Sequence, residues 1–304
     1  MAINAIDNII KFKGENLCCP SSAGFSASRP KISAGLALGS GAVRGFAHIG
    51  VISELLKNGV AINELSGSSM GAIVACLYAS GANLKSIEIS AREISGDIIF
   101  DRRIPFVSVN KGERLKKYLK SLFWSKLKVR RLEHLKTNVF VVCADINKGR
   151  PVVFKSGDIV DILMATAAVP LLFPPYEYLG ETYIDGGVLM PLPASVLKKR
   201  RNDIVIGVSA GFSNMIKQPR HILHVSAQSI IMMGEKILGA QKKEPDILIE
   251  PDFGDIGFWA FPRIEDIIEI GRKAAIKAMP RILKTAADAR GGSDKSHALG
   301  VNAV

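Results

Sequence analysis

Short apolar runs alternate along the chain with longer segments in which apolar residues recur at every third or fourth position. Short apolar runs are typical of buried strands, and the helical spacing is typical of helices packed by one face. The runs predict strands at residues 33–38, 62–66, 138–144, 151–154, 203–210 and 246–250. The helical spacing predicts helices at about 43–58, 69–80, 84–94, 112–122, 159–168, 193–200, 222–238 and 264–283.

This alternation predicts the fold class and the domain organisation. We expect an α/β fold of three layers, α/β/α, with a central and mostly parallel sheet. No internal repeat and no Pro/Ser linker divides the middle of the chain, which favours a single domain over residues 31–288. Residues 1–30 indicate a flexible N-terminal leader or flap, residues 102–109 a loop suited to a lid or to an interface insertion, and residues 289–304 a disordered tail.

Composition narrows the class of protein. Of 304 residues, 48% are hydrophobic, which is enough for a substantial core and excludes a wholly disordered chain. The longest uncharged run, residues 65–84, contains several serines and glycines and is a poor sequence for a membrane span. The first residues lack the apolar core of a signal peptide, so we expect a cytoplasmic protein. The four cysteines form neither a disulfide framework nor a metal-ligand spacing, so we expect no metal.

Positive charge is concentrated in one segment. The formal net charge is +12, and residues 111–131 hold nine Lys or Arg residues against Glu113 alone, a net charge of +8. Apolar residues recur there at helical spacing, which favours a basic amphipathic element in peripheral contact with an anionic membrane surface. The alternative is a surface helix that packs by its apolar stripe, and no recognisable module favours a nucleic-acid partner. The candidate membrane-contacting residues are Lys116, Lys117, Lys120 and Trp124.

A glycine-rich turn follows the first predicted strand, with the sequence Gly39-Ser40-Gly41-Ala42-Val43-Arg44-Gly45. Backbone amides at such a strand-to-helix turn form an anion site. Dinucleotide binding is disfavoured, because the glycine spacing differs from G-x-G-x-x-G and the next strand ends in Ser66-Gly67-Ser68 rather than in an acidic residue. The alternative use of these amides is an oxyanion hole for acyl transfer. A tight turn without any chemistry stays open as the other interpretation.

The second strand-to-helix turn carries Gly67-Ser68-Ser69-Met70-Gly71, a G-x-S-x-G pattern. In serine hydrolases this pattern exposes a nucleophilic serine on a sharp turn, and the pattern predicts Ser69 as the nucleophile. Adjacent turns of a parallel sheet meet at one edge, so we expect Ser69 to lie close to the glycine-rich turn.

A serine nucleophile needs a base. None of the five histidines lies in a loop after a late strand, which favours structural or surface roles for His48, His134, His221, His224 and His297. His221 and His224 flank the start of a long predicted helix and stay open as candidate bases. Tyr183-Ile184-Asp185-Gly186-Gly187 offers a carboxylate instead, at the end of a short apolar strand, although Asp-Gly is also a common turn dipeptide.

Three motifs in this order, over residues 35–193, make the sequence resemble the patatin-like phospholipases, and most closely their bacterial, neuropathy-target-esterase-like branch. The block Ala165-Thr166-Ala167-Ala168-Val169-Pro170, which leads into Phe173-Pro174-Pro175, belongs to the same resemblance. The resemblance implies the patatin-like fold and a Ser-Asp dyad without histidine. It implies a phospholipid or lysophospholipid substrate and no cofactor.

Carried over to this chain, the resemblance makes Ser69 the nucleophile and Asp185 the base. The implied oxyanion-hole amides are those of Gly41, Ala42, Val43 and Arg44. The glycines of the three motifs are Gly39, Gly45, Gly67, Gly71, Gly186 and Gly187.

This chain departs from the family pattern at three positions. Ser40 and Ala42 stand where many members have glycine, and Met190 stands where asparagine is common. Two other functions remain open: a soluble carboxylesterase or acyltransferase that uses the same dyad on small substrates, and a catalytically idle lipid-binding partner protein. The sequence indicates neither the preferred head group nor the oligomeric state.

Overall fold

The computed structural model describes residues 32–298, except for residues 93, 101–110, 199, 201 and 212–220. The predicted leader at 1–30 and the predicted loop at 102–109 therefore lie outside the described residues, as does the end of the predicted tail.

Strands and helices alternate through the described part of the chain. The strands there are β1 (Ile32–Leu38), β2 (Val60–Ser68), β3 (Asn138–Asp145), β4 (Arg150–Phe154), β5 (Tyr176–Tyr178), β6 (Glu181–Asp185), β7 (Ile204–Val208) and β8 (Ile247–Ile249). The α-helices there are α1 (Ala47–Lys57), α2 (Met70–Ala79), α3 (Leu84–Arg92), α4 (Gly96–Ile99), α5 (Glu113–Leu119), α6 (Ile159–Thr166), α7 (Ile222–Gln241) and α8 (Ile264–Ala298).

The strands form one mixed sheet with the order β5-β6-β3-β2-β1-β7-β8, in which β4 also pairs with β3. The five consecutive strands β3, β2, β1, β7 and β8 run parallel, whereas β4, β5 and β6 are antiparallel to their neighbours. The prediction of an α/β fold with a mostly parallel central sheet is confirmed.

Helices cover the two faces of the sheet unequally. Along β1, Leu36 and Leu38 belong to the large core that α1, α2, α6 and α8 complete. Ala37 points to the other face, as expected from the alternation of side chains in a strand, and packs in a smaller cluster with Leu192 and with Leu238 of α7. The large core therefore lies between the sheet and helices α1 and α2, which follow the first two strands.

Several element boundaries differ from the predicted ones. The predicted helix at 193–200 is only a 3-10 turn, Ala194–Val196, which follows Pro193 and packs against the sheet. The predicted helix at 43–58 begins with a 3-10 turn, Ala42–Phe46. Helix α5 continues as a π-helical segment, Lys120–Lys126. The last helix runs to Ala298, so residues 289–298 are helical where a disordered tail was expected.

Glycines allow α1 and α8 to cross at close range. A Cβ atom on Gly50 would lie 2.0 Å from the carbonyl oxygen of Ile268, and one on Gly271 would lie 2.0 Å from that of Ala47. Side chains at these positions would force the helices apart. The close packing against α8 fixes the position of α1 and therefore of the glycine-rich turn that precedes α1.

None of the helices that the structure describes has both the length and the apolar character needed to cross a bilayer.

Candidate active site

Strand pairing brings the candidate nucleophile and the candidate base together. Strand β3 pairs with β2 through Val142 and Ser68, and with β6 through Cys143 and Asp185. Val142 and Cys143 are consecutive, so Asp185 lies beside the end of β2, where Ser69 begins the turn into α2. The two residues are 116 positions apart in the chain, and the register of β3 makes them neighbours.

Ser69 occupies a strained backbone conformation between β2 and α2. Its φ of 54° and ψ of −128° lie in a region that residues with a side chain rarely adopt. The flanking glycines permit the sharp turn. A Cβ on Gly67 would lie 2.6 Å from the amide nitrogen of Ala72, and one on Gly71 would lie 2.2 Å from the carbonyl oxygen of Leu38. The turn thus has the geometry that a G-x-S-x-G motif requires.

Thr166 supports the Ser69 turn from below. The Ser69 amide donates a hydrogen bond to Thr166 Oγ1 (2.9 Å), and the threonine hydroxyl donates to the carbonyl oxygen of Val142 (2.5 Å). The side chains of Ser69 and Thr166 are both buried. This bridge links the turn, α6 and β3, and it compensates part of the cost of the strained conformation.

Asp185 is a buried carboxylate with a raised pKa. Only 5% of the residue is exposed, and Oδ1 accepts a hydrogen bond from the Gly187 amide (2.7 Å). Burial raises the pKa of Asp185 to about 6, while hydrogen bonds from the Ser69 side chain and the Gly187 amide act in the opposite direction. The carboxylate is therefore a stronger base than an exposed aspartate and is still mostly ionised at neutral pH.

The glycine-rich turn is held in place from three sides. The Gly39 amide donates to the carbonyl oxygen of Val208 (2.9 Å), and the Ser40 amide donates to that of Pro191 (2.9 Å). His48 Nε2 donates to the carbonyl oxygen of Gly39 (2.8 Å). Burial lowers the pKa of His48 to about 4, so the ring is neutral at physiological pH and its role is structural.

The four predicted oxyanion donors separate into two groups. The amides of Gly41 and Ala42 donate no hydrogen bond to another described residue, and Ala42 lines the same cavity as Ser69. Ala42 has a φ of 47°, which turns the backbone sharply at this point. The Val43 amide, however, donates to the carbonyl oxygen of Phe258 (3.0 Å), so it already has an acceptor within the protein, which favours Gly41 and Ala42 as the oxyanion donors.

Arg44 anchors the turn through its side chain. The residue is completely buried, and its Nε donates to the carbonyl oxygen of Ile256 (2.7 Å). The guanidinium lies over the rings of Phe253 and Phe258, with ring centroids at 5.2 and 4.7 Å. Burial lowers the pKa of Arg44. This arrangement fixes the segment after β8 against the turn and favours a packing role for the Arg44 side chain over a role at the reacting atoms.

An apolar cavity lies beside Ser69. The exposed edge of the cavity carries Phe173 and Trp259, and both rings contact Phe100, with centroids at 5.9 and 5.5 Å. The deeper walls come from α2, α5 and the glycine-rich turn and include Val43, Phe46, Ile73, Leu77, Leu115, Leu119 and Leu122. Such a cavity accepts a hydrocarbon group next to the candidate nucleophile.

The basic segment is packed differently from a free amphipathic helix. Lys116 donates to the hydroxyl of Tyr176 (2.5 Å) and forms an ion pair with Asp161 (3.2 Å). Lys120 lies over the ring of Trp124, which is itself partly buried against the core. Lys117 is exposed. The predicted membrane-contacting set therefore keeps Lys117 at the surface, whereas Lys116 and Trp124 have partners within the protein.

Two residues support the site through contacts that the sequence does not reveal. Thr166 lies in the quoted Ala-Thr-Ala-Ala-Val-Pro block, but only the strand register reveals its contact with Ser69. His48 appeared as a structural histidine without a partner. Met190, which stands where many family members have asparagine, is held in the loop after Asp185 by its backbone. Its carbonyl oxygen accepts a hydrogen bond from Ser68 Oγ (2.7 Å), and its amide donates to the carbonyl oxygen of Gly186 (2.8 Å).

No group of three or more His, Cys, Asp or Glu side chains in the described ranges is arranged to hold a metal ion.

Comparison with known proteins identifies the family. The model of the patatin-like phospholipases matches residues 36–198. An uncharacterized NTE family protein of Mycobacterium bovis is 30% identical over 296 residues, covering 86% of this chain and 50% of that protein. The lysophospholipase NTE1 of Candida albicans is 29% identical over 183 residues, covering 58% of this chain and 13% of that protein. The chain spans about half the length of the mycobacterial relative.

A solved structure shows the same fold. VipD from Legionella pneumophila superposes with a TM-score of 0.50 at 16% sequence identity, covering 84% of this chain and 68% of that chain. The family match begins within β1 and extends past Asp185, so it includes all three motifs. The resemblance drawn from those motifs is confirmed, and the chain belongs to the patatin-like phospholipase family.

Proposed function

We propose that this protein hydrolyses acyl esters of phospholipids or lysophospholipids, with Ser69 as nucleophile and Asp185 as base. The observation that carries the proposal is the juxtaposition of a serine on a strained turn, a buried carboxylate with a raised pKa and an apolar cavity. The name of the Candida albicans relative, a lysophospholipase, supports the same class of ester.

The reaction proceeds through an acyl-enzyme. Asp185 accepts the proton of the Ser69 hydroxyl as the serine oxygen attacks the ester carbonyl carbon. The Gly41 and Ala42 amides stabilise the negative oxygen of the tetrahedral intermediate, and one such donor contributes about 3–4 kcal/mol. Collapse expels the alcohol, which receives the proton from Asp185. Water then attacks the acyl-enzyme, Asp185 accepts its proton, and the fatty acid leaves as Ser69 regains a proton.

The electrostatic environment suits this mechanism. A base with a pKa of about 6 is ionised at neutral pH and is still basic enough to share in proton transfer. The dyad needs neither a metal nor another cofactor. His48 does not compete for the role, because its Nε2 is bonded to the carbonyl oxygen of Gly39 and burial lowers its pKa to about 4, which makes the ring a weaker base than an ordinary histidine.

We further propose peripheral contact with an anionic membrane surface through the exposed basic residues of segment 111–131. Lys117, Lys128 and Arg130 are exposed, and the apolar residues of the same segment line the cavity beside Ser69. Each basic residue near an anionic surface contributes about 1 kcal/mol. Charge reversal at Lys117 and Lys128 should lower co-sedimentation with phosphatidylserine vesicles, and unchanged binding would contradict this contact.

A serine-directed probe tests the catalytic assignment. A fluorophosphonate should label the wild-type protein but not Ser69→Ala, and Asp185→Asn should be labelled far more slowly. Labelling of Asp185→Asn at the wild-type rate would contradict the dyad. Absence of labelling in the wild type would favour the idle lipid-binding alternative.

Mass spectrometry of the products released from a lipid extract then tests the substrate class. Turnover that rises when the ester is presented in vesicles supports a phospholipid or lysophospholipid substrate. Equal turnover of small dispersed esters would favour the soluble esterase or acyltransferase.

A further inference from the structure

A second cavity lies directly behind the one that Ser69 lines. The first cavity has a volume of about 70 Å³ and the second about 210 Å³. The residues that line both cavities are Phe46, Leu77, Ile94, Tyr118 and Leu122. Because the same side chains face both spaces, the two cavities are neighbours and these five side chains form the wall between them.

A single apolar stripe follows both cavities. Leu115 and Leu119 of α5 line the first, and Leu127, just beyond the π-helical segment, lines the second. Tyr118 and Leu122 lie between them and line both. The apolar side of the basic segment therefore forms one wall of a passage that leads away from Ser69.

We propose that the two cavities form one acyl-chain site, in which the first holds the carbons next to the scissile ester and the second holds the distal part of a long chain. This inference rests on the proposed function, because it takes Ser69 as the point of attack. It makes the preferred substrate an ester of a long-chain fatty acid. Side chains at the shared wall, above all Tyr118 and Leu122, become the residues that determine chain length.

The relative volumes support this assignment. An apolar cavity of about 150 Å³ is large enough to bind benzene, so the first cavity is too small for a long acyl chain and the second has the space that it lacks. Burial of each further methylene is expected to raise kcat/KM by about three- to fourfold until the second cavity is full. The proposed preference therefore increases with chain length.

Small residues of α3 line the second cavity, so larger side chains at these positions would occupy its space. Ser86 and Ser90 line it, whereas Ile89, on the same helix, is 41% exposed and does not. Ser90→Phe should fill the cavity, and Ile89→Phe is the matched control that adds the same side chain outside it.

The experiment measures kcat/KM for butyrate, octanoate and palmitate esters of p-nitrophenol. In the wild type, kcat/KM should rise from butyrate to palmitate. Ser90→Phe should lower the palmitate-to-butyrate ratio at least about tenfold, and Ile89→Phe should keep the wild-type ratio. An unchanged ratio in Ser90→Phe would overturn the inference. If Ser90→Phe does not fold, Ser86→Leu, with a smaller added side chain, carries the same test.

A binding measurement separates this inference from the proposed function. Palmitate should displace a fluorescent long-chain fatty acid from Ser69→Ala, and the added Ser90→Phe substitution should weaken palmitate binding about tenfold or more. If the wild type hydrolyses no ester but this difference in binding is found, the proposed function fails and the acyl-chain site stands. If palmitate binds both variants equally, the acyl-chain site fails whether or not esters are hydrolysed.

Discussion

Asp185→Asn is expected to lower turnover sharply and, at neutral pH, to raise the free energy of unfolding. Burial raises the pKa of Asp185 to about 6 from an ordinary value of 3.8, so the carboxylate is harder to ionise in the folded chain than in the unfolded chain. A difference of about two pKa units corresponds to about 3 kcal/mol. Asparagine has the same shape without the charge, so about 3 kcal/mol is the largest stabilisation that this substitution can give.

The pH dependence of this gain follows from the direction of the pKa shift. Between about pH 4 and pH 6 the folded chain binds more protons at Asp185 than the unfolded chain, so stability falls as pH rises through this window. Above about pH 6 the full cost of ionisation is present. Below about pH 4 both states are protonated and the cost is absent. The gain from Asp185→Asn should therefore appear at pH 7 and vanish near pH 4.

Two assays check this reasoning. Urea unfolding of the wild type and Asp185→Asn, at pH 7 and near pH 4, measures the free energy of unfolding. Ester hydrolysis against pH should give a kcat/KM that rises through an inflection near pH 6, and Asp185→Asn should lower kcat by about 10²- to 10⁴-fold. Ser69→Ala is the control, because it loses turnover but keeps the buried carboxylate. Two results together would refute a raised pKa of Asp185: equal free energies of unfolding for the wild type and Asp185→Asn at pH 7, and a kcat/KM inflection near pH 4.

Three further substitutions test the supports of the site. Thr166→Val leaves the buried Ser69 amide without an acceptor. It should lower the free energy of unfolding by about 1–3 kcal/mol, measured by urea denaturation. It should also reduce labelling of Ser69 by the fluorophosphonate. Gly71→Ala places a Cβ against two backbone carbonyls and should cost about 1–3 kcal/mol or more, seen as a lower melting temperature. Arg44→Met leaves a buried carbonyl without its donor and should cost about 1–3 kcal/mol in the same melting assay.

Matched variants make these outcomes specific. Thr166→Ser retains the hydroxyl and should recover most of the labelling, and labelling of Thr166→Val at the wild-type rate would contradict the bridge to Ser69. Gly239→Ala, in an exposed part of α7 with no neighbouring atom near the new Cβ, should stabilise the protein by up to about 1 kcal/mol. A melting temperature of Gly71→Ala or Arg44→Met equal to that of the wild type would contradict the contacts assigned to them.

The two turns at the site differ in how far their contacts can be predicted from the local sequence. Gly67 and Gly71 could be recognised from the sequence, because a sharp turn from strand to helix around a nucleophilic serine needs residues without a side chain. The partner of the Val43 amide could not be recognised in the same way. This acceptor, the carbonyl of Phe258, lies more than two hundred positions away, and no local pattern reports such a contact.

The basic segment illustrates the same limit. Its helical spacing was correctly recognised, but amphipathicity alone cannot tell which surface an apolar stripe faces. In the structure the stripe faces two internal cavities, and Lys116 pairs with Asp161 rather than projecting freely. The π-helical winding of Lys120–Lys126 also has no counterpart in the spacing of apolar residues.

By itself the sequence determined the alternation of strands and helices, the α/β class, the three motifs and the family, because periodicity and glycine positions are local properties. Only the tertiary structure decided which groups meet. The pairing of β3 with both β2 and β6 brings Asp185 to Ser69, and burial in the folded chain raises the pKa of that carboxylate. The Thr166 bridge and the two neighbouring cavities depend on the same long-range packing, since they are built from residues that only the folded sheet and its helices bring together.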